Sequence, residues 1–310
     1  MYVLYPEDHT ALTERSRLFE QYMEPLLKKL EALYQSGKVP ASLPEITAYL
    51  QVCRWPFRKL EYSFAMDVLL NHLKPGSRYL DAGSGVTPFA HVFAERGVQA
   101  EACDGDGQMI ERLRRLDPSR IYDSPVTYMG QDLTATTYPT ATFDAVTCIS
   151  VLEHIPAPYD QKAVKELVRI LKPGGILVLT VDFTPPPANG QQSRLGYYFG
   201  RATNLIREGN LSEIGRGLAR KLQAQQAVSE GAASQPRSAN QCFEVGHLEQ
   251  DILPLMEGEE LPSSLPFATD LHQYTPEQAQ RFWNLEEGLF NNQGRRLVLP
   301  AACIFRKPVA

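Results

Sequence analysis

A carboxylate followed by two glycines, in the run Asp81-Ala82-Gly83-Ser84-Gly85, has the clearest chemistry of this 310-residue chain. Glycine has no Cβ, so a turn built on Gly83 and Gly85 lets the backbone approach a ligand closely. A carboxylate at Asp81 would repel a pyrophosphate, but it suits a ligand that carries an ammonium and a sulfonium. Pro88 stands where the dinucleotide pattern G-x-G-x-x-G has its third glycine, which argues against a nicotinamide cofactor. The turn therefore predicts a site for a cationic, nucleotide-like cofactor.

Three further residues have side chains that could bind the cofactor or move a proton. Asp104 lies roughly 20 residues after the glycine turn, the spacing at which an acid meets ribose hydroxyls in a Rossmann-like unit. His154 could act as a base at neutral pH, since the ordinary pKa of histidine lies near 6.5. Asp182 follows an apolar stretch that reads as a strand, where acceptor-binding residues commonly lie. A structural role for His154 remains the alternative to a catalytic one.

The glycine turn resembles motif I of the class I S-adenosylmethionine (SAM)-dependent methyltransferases, and the resemblance continues in order along the chain. Residues 99–104 resemble the second strand, 128–133 the third strand with its loop, and 143–149 the fourth strand. The sequence V-L-E-H-I at 151–155 is similar to the family often labelled type 11. The turn L-K-P-G-G at 171–175, before a fifth strand at 176–181, is also typical of that family. The similarity covers roughly residues 60–183.

The resemblance implies an α/β fold, a Rossmann-like, doubly wound sheet of seven strands whose last strand is antiparallel. Residues 296–307 are expected to supply that last strand, and Pro300 within it predicts a bulge or an edge. Helical spacing of apolar residues predicts helices over 9–35, 63–73 and 164–171, and a further short helix over 46–53. The chain would then divide into a helical extension (1–74), a cofactor-binding core (75–183), an insertion (184–247) and a completion of the sheet (248–310).

The resemblance also implies SAM as the cofactor and a set of residues that bind it. Asp81, Gly83 and Gly85 would hold the methionine end, and Asp104, next to Gly105, would accept the ribose hydroxyls. Asp132 and Leu133 would bracket the adenine, and Ser150 would line the cofactor through its backbone. His154 and Asp182 are the candidates for orienting or deprotonating an acceptor. Quinone-pathway relatives bind a divalent cation through E-x-x-E-H, but this chain has Ser150 at the first position, so the sequence predicts no metal site.

The insertion differs in charge from the rest of the chain. Between residues 186 and 240 there are seven basic and three acidic residues, whereas the whole chain has a net charge of −5. One hypothesis is a lid that favours an anionic or polar acceptor; the alternative is a solvated helix face with a flexible linker. Ahead of the core, Trp55, Phe57 and Tyr62 would either line the acceptor pocket or pack in the core.

The composition limits the classes of function. Without a long basic run, the acidic balance argues against a dedicated nucleic-acid binder. No stretch approaches the ~20 consecutive apolar residues of a membrane span, and the first residues lack the pattern of a secretion signal. Five scattered cysteines indicate a reducing compartment, so a cytoplasmic protein is expected, with a homodimer as one assembly.

The prediction is a methyltransferase for a small-molecule acceptor, with O-methylation of a sugar or secondary metabolite as the first expectation. N-methylation of a small molecule, methylation of protein or RNA, and a non-catalytic SAM-binding regulator remain the alternatives. The sequence is more informative about the cofactor than about the acceptor.

Overall fold

The computed structural model describes residues 1–36, 50, 52–184, 242–256, 258–275, 277–278 and 299–309. Most of the predicted insertion at 184–247 and most of the predicted helix at 46–53 lie outside these residues. Among the described helices, none is long and apolar enough to cross a membrane.

A mostly parallel sheet forms the centre of the described part. Its strands are β1 (Tyr2–Val3), β2 (Arg78–Ala82), β3 (Gln99–Asp104), β4 (Val126–Gly130), β5 (Phe143–Ile149), β6 (Leu171–Thr184), β7 (Phe243–Glu244), β8 (Glu259–Glu260) and β9 (Leu299–Arg306). They lie in the order β1-β9-β6-β5-β2-β3-β4, with β7 beside β6 and β8 beside β9. Strands β2 to β6 are parallel, and β9 is antiparallel to β6. The predicted fold class is confirmed, with the two-residue β1 as the seventh strand of this path.

The strand order reverses at β2, which defines where a ligand can enter. From β2 the chain moves outward through β3 to β4, and it then crosses to β5 and β6 on the other side. The loops that leave the carboxyl ends of β2 and β5 therefore separate to opposite sides and open a crevice between them. All the predicted cofactor residues lie at or just beyond this carboxyl edge of the sheet.

In the described part of the chain, the sheet is flanked by α1 (His9–Arg15), α2 (Glu24–Gln35), α3 (Pro56–His72), α4 (Phe89–Ala94), α5 (Gly107–Leu116), α6 (Pro118–Tyr122) and α7 (Tyr159–Ile170). A single π-helical turn, Phe19–Met23, leads directly into α2. The helix predicted over 9–35 is therefore present, but it is interrupted between α1 and α2. The start predicted for α3 at residue 63 is wrong. The helix begins at Pro56, because the fixed φ of proline suits the first helical position.

Helix α3 is buried along most of its length, and this decides the role of two aromatic residues. Phe57 and Tyr62 are 4 % and 6 % exposed. The ring of Tyr62 lies 4.8 Å from that of Phe89 on α4. Both residues therefore pack in the core, which is the alternative left open by the sequence.

The predicted edge position of Pro300 is wrong, since β9 lies between β6 and β1 inside the sheet. Pro300 pairs with Asp182 in an unbroken antiparallel register, and its carbonyl accepts a hydrogen bond from Leu4 N at 2.8 Å. Pro300 is the second residue of β9, and the start of a strand tolerates the missing N–H.

Candidate active site

The glycine turn after β2 is held by the neighbouring strand. The N–H groups of Gly83 and Ser84 both donate to the carbonyl of Cys103, at 2.8 and 2.9 Å. Gly83 has a φ of +79°, and a Cβ at this position would lie 2.7 Å from Cγ1 of Val151. The side chain of Val151 fills the space beside Gly83. The positive φ of the turn and the close approach of Val151 therefore both require a glycine at this position.

Asp81 is a buried carboxyl group at the end of β2, with 3 % of its surface exposed. Its Oδ1 accepts a hydrogen bond from Thr147 Oγ1 at 2.9 Å, across the pair of strands β2 and β5. Burial raises the pKa of Asp81 to about 7, although the hydrogen bond from Thr147 opposes the shift. Since burial disfavours the ionised form, a cation placed beside Asp81 would favour ionisation. The residue fits the predicted role of holding an ammonium group.

Asp104 joins two loops at the crevice. One oxygen accepts a hydrogen bond from Gly85 N at 3.1 Å, and the other accepts one from Asp106 N at 2.9 Å. Asp106 in turn caps α5 by accepting from Gln108 N. The carboxylate predicted to bind ribose therefore also fixes the glycine turn against the loop after β3. The adjacent Gly105 is exposed at this loop.

The predicted adenine-binding residues lie on the next loop, after β4. Gln131 N donates to the carbonyl of Asp104 at 3.0 Å, which brings this loop beside the previous one. Asp132 is exposed, and its Oδ1 accepts from both the backbone and the hydroxyl of Thr134. Leu133 is buried. The loops after β2, β3 and β4 thus bring the predicted cofactor residues into one row.

Ser150, directly after β5, is bound through its side chain as well as its backbone. Its φ is +49°, a conformation that is uncommon for residues other than glycine. Its N–H donates to the carbonyl of Thr180 at 3.0 Å, and its Oγ donates to Glu61 Oε1 at 2.5 Å. Any contact of Ser150 with the cofactor would therefore involve a backbone already fixed by these bonds.

A group of buried and half-buried charges, here called the carboxyl cluster, lies at the carboxyl ends of β5 and β6. It consists of Glu61, Glu153 and Asp182 with the guanidinium of Arg58. Glu61 Oε2 lies 2.6 Å from Arg58 Nη1, and Asp182 N donates to Glu153 Oε1 at 3.1 Å. Asp182 Oδ1 is buried and has no hydrogen-bond partner among the described residues.

Burial changes the acidity of two members of the carboxyl cluster. It raises the pKa of Asp182 to about 7, while Arg58 opposes this shift and Glu61 adds to it. Burial and the nearby Asp182 also raise the pKa of Glu153 well above its ordinary value. A carboxyl group with a pKa near neutral can accept a proton at physiological pH.

His154 is the other candidate for proton transfer. It ends the short helical turn Leu152–His154, is half-buried, and donates its backbone N–H to the carbonyl of Val151 at 3.0 Å. These contacts do not distinguish a catalytic from a structural role. Among the described residues, no group of three or more His, Cys, Asp or Glu side chains is placed to hold a metal ion.

Sequence reasoning missed Arg58, Glu61 and Thr180. The local pattern offered one indication, because Arg58 and Glu61 are three positions apart, on one face of a helix, within the largely apolar run that forms α3. An acid in such a run needs a partner. The partners of Glu61 on β6 and after β5 lie 119 and 89 positions away, so the sequence does not identify them.

Comparisons with known proteins find similarity in the central part of the chain. Residues 80–179 match the family model described as "Methyltransferase domain". A ubiquinone biosynthesis O-methyltransferase of Xanthomonas campestris pv. campestris (strain B100) is 37 % identical over 114 residues, which are 36 % of this chain and 46 % of that protein. A 2-methyl-6-phytyl-1,4-hydroquinone methyltransferase of Synechocystis sp. is 33 % identical over 113 residues, 36 % of this chain and 33 % of that protein. The match thus spans less than half the length of these relatives.

Two solved structures match parts of the chain at low identity and low TM-score. The cyclase SpnF is 18 % identical, with 79 % of this chain and 81 % of that chain covered and a TM-score of 0.45. A SAM-dependent methyltransferase from Mesorhizobium loti is 24 % identical, with 37 % and 52 % covered and a TM-score of 0.32. The fold assignment rests on the strand order described above. The family match confirms the predicted resemblance to the type 11-like methyltransferases and SAM as the predicted cofactor.

Proposed function

We propose that this chain, whose residues 80–179 form a methyltransferase domain, transfers a methyl group from SAM to a hydroxyl of a small molecule. The observation that carries the proposal is Asp182, a carboxyl group at the carboxyl end of β6. One of its oxygens is buried and unpaired among the described residues. A hydroxyl must lose its proton to attack a methyl group, and a nearby carboxylate can take it.

The residues at the ends of β2, β3 and β4 fit the groups of SAM. Asp81 would hold the ammonium of the methionine end, Asp104 the ribose hydroxyls, and Asp132 with Leu133 the adenine. When bound, the cofactor supplies a methyl group on a sulfonium, and the electron pair of the broken carbon–sulfur bond stays on sulfur. The protein contributes alignment, which can lower such a barrier by several kcal/mol.

On the acceptor side, Asp182 would take the hydroxyl proton onto Oδ1 as the acceptor oxygen bonds to the methyl carbon. A carboxyl group with a raised pKa is a stronger base than an ordinary aspartate once it is ionised. His154 is the second candidate for this base.

The acceptor is proposed to be an aromatic or aliphatic alcohol. The names of the two relatives belong to ubiquinone biosynthesis and to a hydroquinone, which favours a phenolic hydroxyl over the sugar expected first. A cytoplasmic location and a homodimer remain predictions.

The proposal is tested by binding and then by turnover. Calorimetry with SAM, S-adenosylhomocysteine and NAD should show binding of the first two alone. Incubation with SAM and a panel of catechols, hydroquinones and sugars should then form S-adenosylhomocysteine and a methyl ether. Asp182→Asn should abolish turnover but retain SAM binding, and His154→Asn should retain turnover. The absence of SAM binding, or full activity of Asp182→Asn, would contradict the proposal.

A further inference from the structure

The carboxyl cluster is held together by one residue of α3. Glu61 is fully buried and forms a hydrogen bond or ion pair through each carboxylate oxygen. Oε1 accepts from Ser150 Oγ at 2.5 Å and from Thr180 Oγ1 at 2.8 Å, and Oε2 accepts from Arg58 Nη1 at 2.6 Å. Glu61 therefore fixes the carboxyl ends of β5 and β6 to the same helix, α3. The same carboxylate holds the guanidinium of Arg58 in place.

The charges of the carboxyl cluster do not balance. Among the described residues, three carboxyl groups face the guanidinium of Arg58, so full ionisation would leave two net negative charges in a largely buried place. Burying unpaired charge is costly, and such groups instead keep a proton. Glu61 has the direct ion pair with Arg58, so the retained proton belongs to the pair formed by Glu153 and Asp182.

Arg58 is the positive charge that determines how easily this pair ionises. Its guanidinium opposes the rise in the pKa of both Glu153 and Asp182. Tyr62 and Cys53 are other titratable groups that face Arg58. Burial raises the pKa of Cys53 to about 12, so this thiol stays neutral in the range considered.

We propose that Arg58 and Glu61 are positioning residues for the acceptor base. The Arg58 guanidinium keeps Asp182 able to ionise near neutral pH, and Glu61 holds that guanidinium against both strand ends. The inference rests on the proposed function only in naming Asp182 as the base that touches the acceptor. The electrostatic part concerns the protein alone and needs neither cofactor nor acceptor.

Carbon-13 NMR of aspartate and glutamate carboxyl groups, titrated from about pH 5 to about pH 9, measures this directly. The resonance that disappears in Asp182→Asn is assigned to Asp182. In the wild-type protein its midpoint should lie near 7, as burial requires. Arg58→Gln should raise this midpoint by at least about one pH unit, because loss of the positive charge that opposes the rise disfavours the ionised carboxylate. Glu61→Gln should lower it, because a negative neighbour is removed while the acceptor oxygen for Arg58 is retained.

Arg58→Gln and Glu61→Gln each remove one partner of the same ion pair, and they should shift the Asp182 midpoint in opposite directions. General damage to the fold would not produce opposite shifts. Unfolding would instead return Asp182 to its ordinary value near 4 in both variants. Arg58→Lys retains the charge and should leave the midpoint close to that of the wild type. If Arg58→Gln does not fold by circular dichroism, Glu61→Gln and Arg58→Lys still test the proposal.

A matched control is Arg54→Gln, which removes an arginine four positions earlier. Arg54 pairs with Glu24 and Glu31 of α2, away from the carboxyl cluster, so this variant should leave the Asp182 midpoint unchanged. Shifts in the same direction for Arg58→Gln and Glu61→Gln, or no shift in either, would overturn the proposal. A fall of the Asp182 midpoint by more than about one pH unit, when millimolar magnesium is added to the wild type, would also overturn the proposal. A bound cation, rather than Arg58, would then determine how easily Asp182 ionises.

The outcome can be separated from that of the proposed function. If the titration behaves as expected but no acceptor is methylated, the electrostatic role of Arg58 stands and the assigned reaction fails. If an acceptor is found, the acidic limb of the kcat/KM profile should follow the NMR midpoint through the three variants. A limb that stays fixed while the midpoint moves would show that Asp182 is not the base.

Discussion

The affinity for SAM should depend on pH through Asp81. This carboxyl group is buried at the end of β2, and burial raises its pKa to about 7 in the free protein. In the proposed site the ammonium group of the cofactor would pair with the ionised carboxylate, so a protonated Asp81 would first have to release its proton. Binding is therefore weakened wherever the free protein holds that proton.

The size of the effect follows from the pKa. About nine tenths of Asp81 is ionised one pH unit above its pKa, and about one tenth one unit below. The apparent Kd for SAM should thus rise roughly tenfold, about 1.4 kcal/mol, between about pH 8 and about pH 6. Because the pKa of Asp81 is raised in the free protein, the affinity for SAM is fully present above that pKa and is lost as the pH falls through it.

Calorimetry in two buffers of different ionisation enthalpy measures both the Kd and the protons released. Close to one proton per SAM should be released at about pH 6 and about one tenth of a proton at about pH 8. Asp81→Asn should bind SAM more weakly and lose the pH dependence of binding. The amino group of SAM titrates equally with both proteins, so the comparison of the variant with the wild type removes that contribution. Thr147→Val should move the transition to higher pH, because the Thr147 hydroxyl lowers the pKa of Asp81. Identical pH dependence in the wild type and Asp81→Asn would refute the reasoning.

Three further predictions concern the loops and the core. Asp104→Asn should weaken SAM binding at least tenfold, about 1.4 kcal/mol, since an amide cannot accept from both loop N–H groups; unchanged affinity in calorimetry would contradict the assignment. Gly83→Ala should lower the urea midpoint of unfolding more than Gly76→Ala does, because both have positive φ but only the first meets a side chain; equal losses would exclude the contact with Val151. His91 is buried with both ring nitrogens hydrogen-bonded, and burial lowers its pKa to about 4, so the unfolded chain binds the proton first as the pH falls. The free energy of unfolding should thus fall by about 2 kcal/mol more in the wild type than in His91→Gln between about pH 7 and about pH 5, measured by urea titration, and equal losses would refute this origin.

The common position of the predicted cofactor residues at one edge of the sheet could be predicted from sequence, because the information that places them is local. Asp81 and the glycines that follow are separated by a few residues, and Asp104 ends a strand of 6 residues. In a parallel sheet such ends meet at one edge, so spacing along the chain becomes proximity in space. The order of the motifs was therefore enough to predict the fold class.

The carboxyl cluster could not be predicted, because its contacts join distant parts of the chain. Nothing near Glu61 indicates that its partners follow β5 and lie on β6. Similarly, β1 has only two residues and exists because it pairs with β9, which no local pattern reveals. The predicted start of α3 at residue 63 is wrong for a different reason, because Pro56 opens the helix seven residues earlier through its fixed φ.

The short pairing of β7 with β6 has a consequence for the free energy of closing the chain. Phe183 lies opposite Phe243, and Thr184 Oγ1 lies 3.0 Å from Cys242 Sγ, so the chain leaves and re-enters the sheet side by side. The entropy of closing a loop between two fixed points grows only with the logarithm of its length, at about 0.6 kcal/mol per doubling. For the sheet, closing the chain between these two points therefore costs little more free energy for a long segment than for a short one.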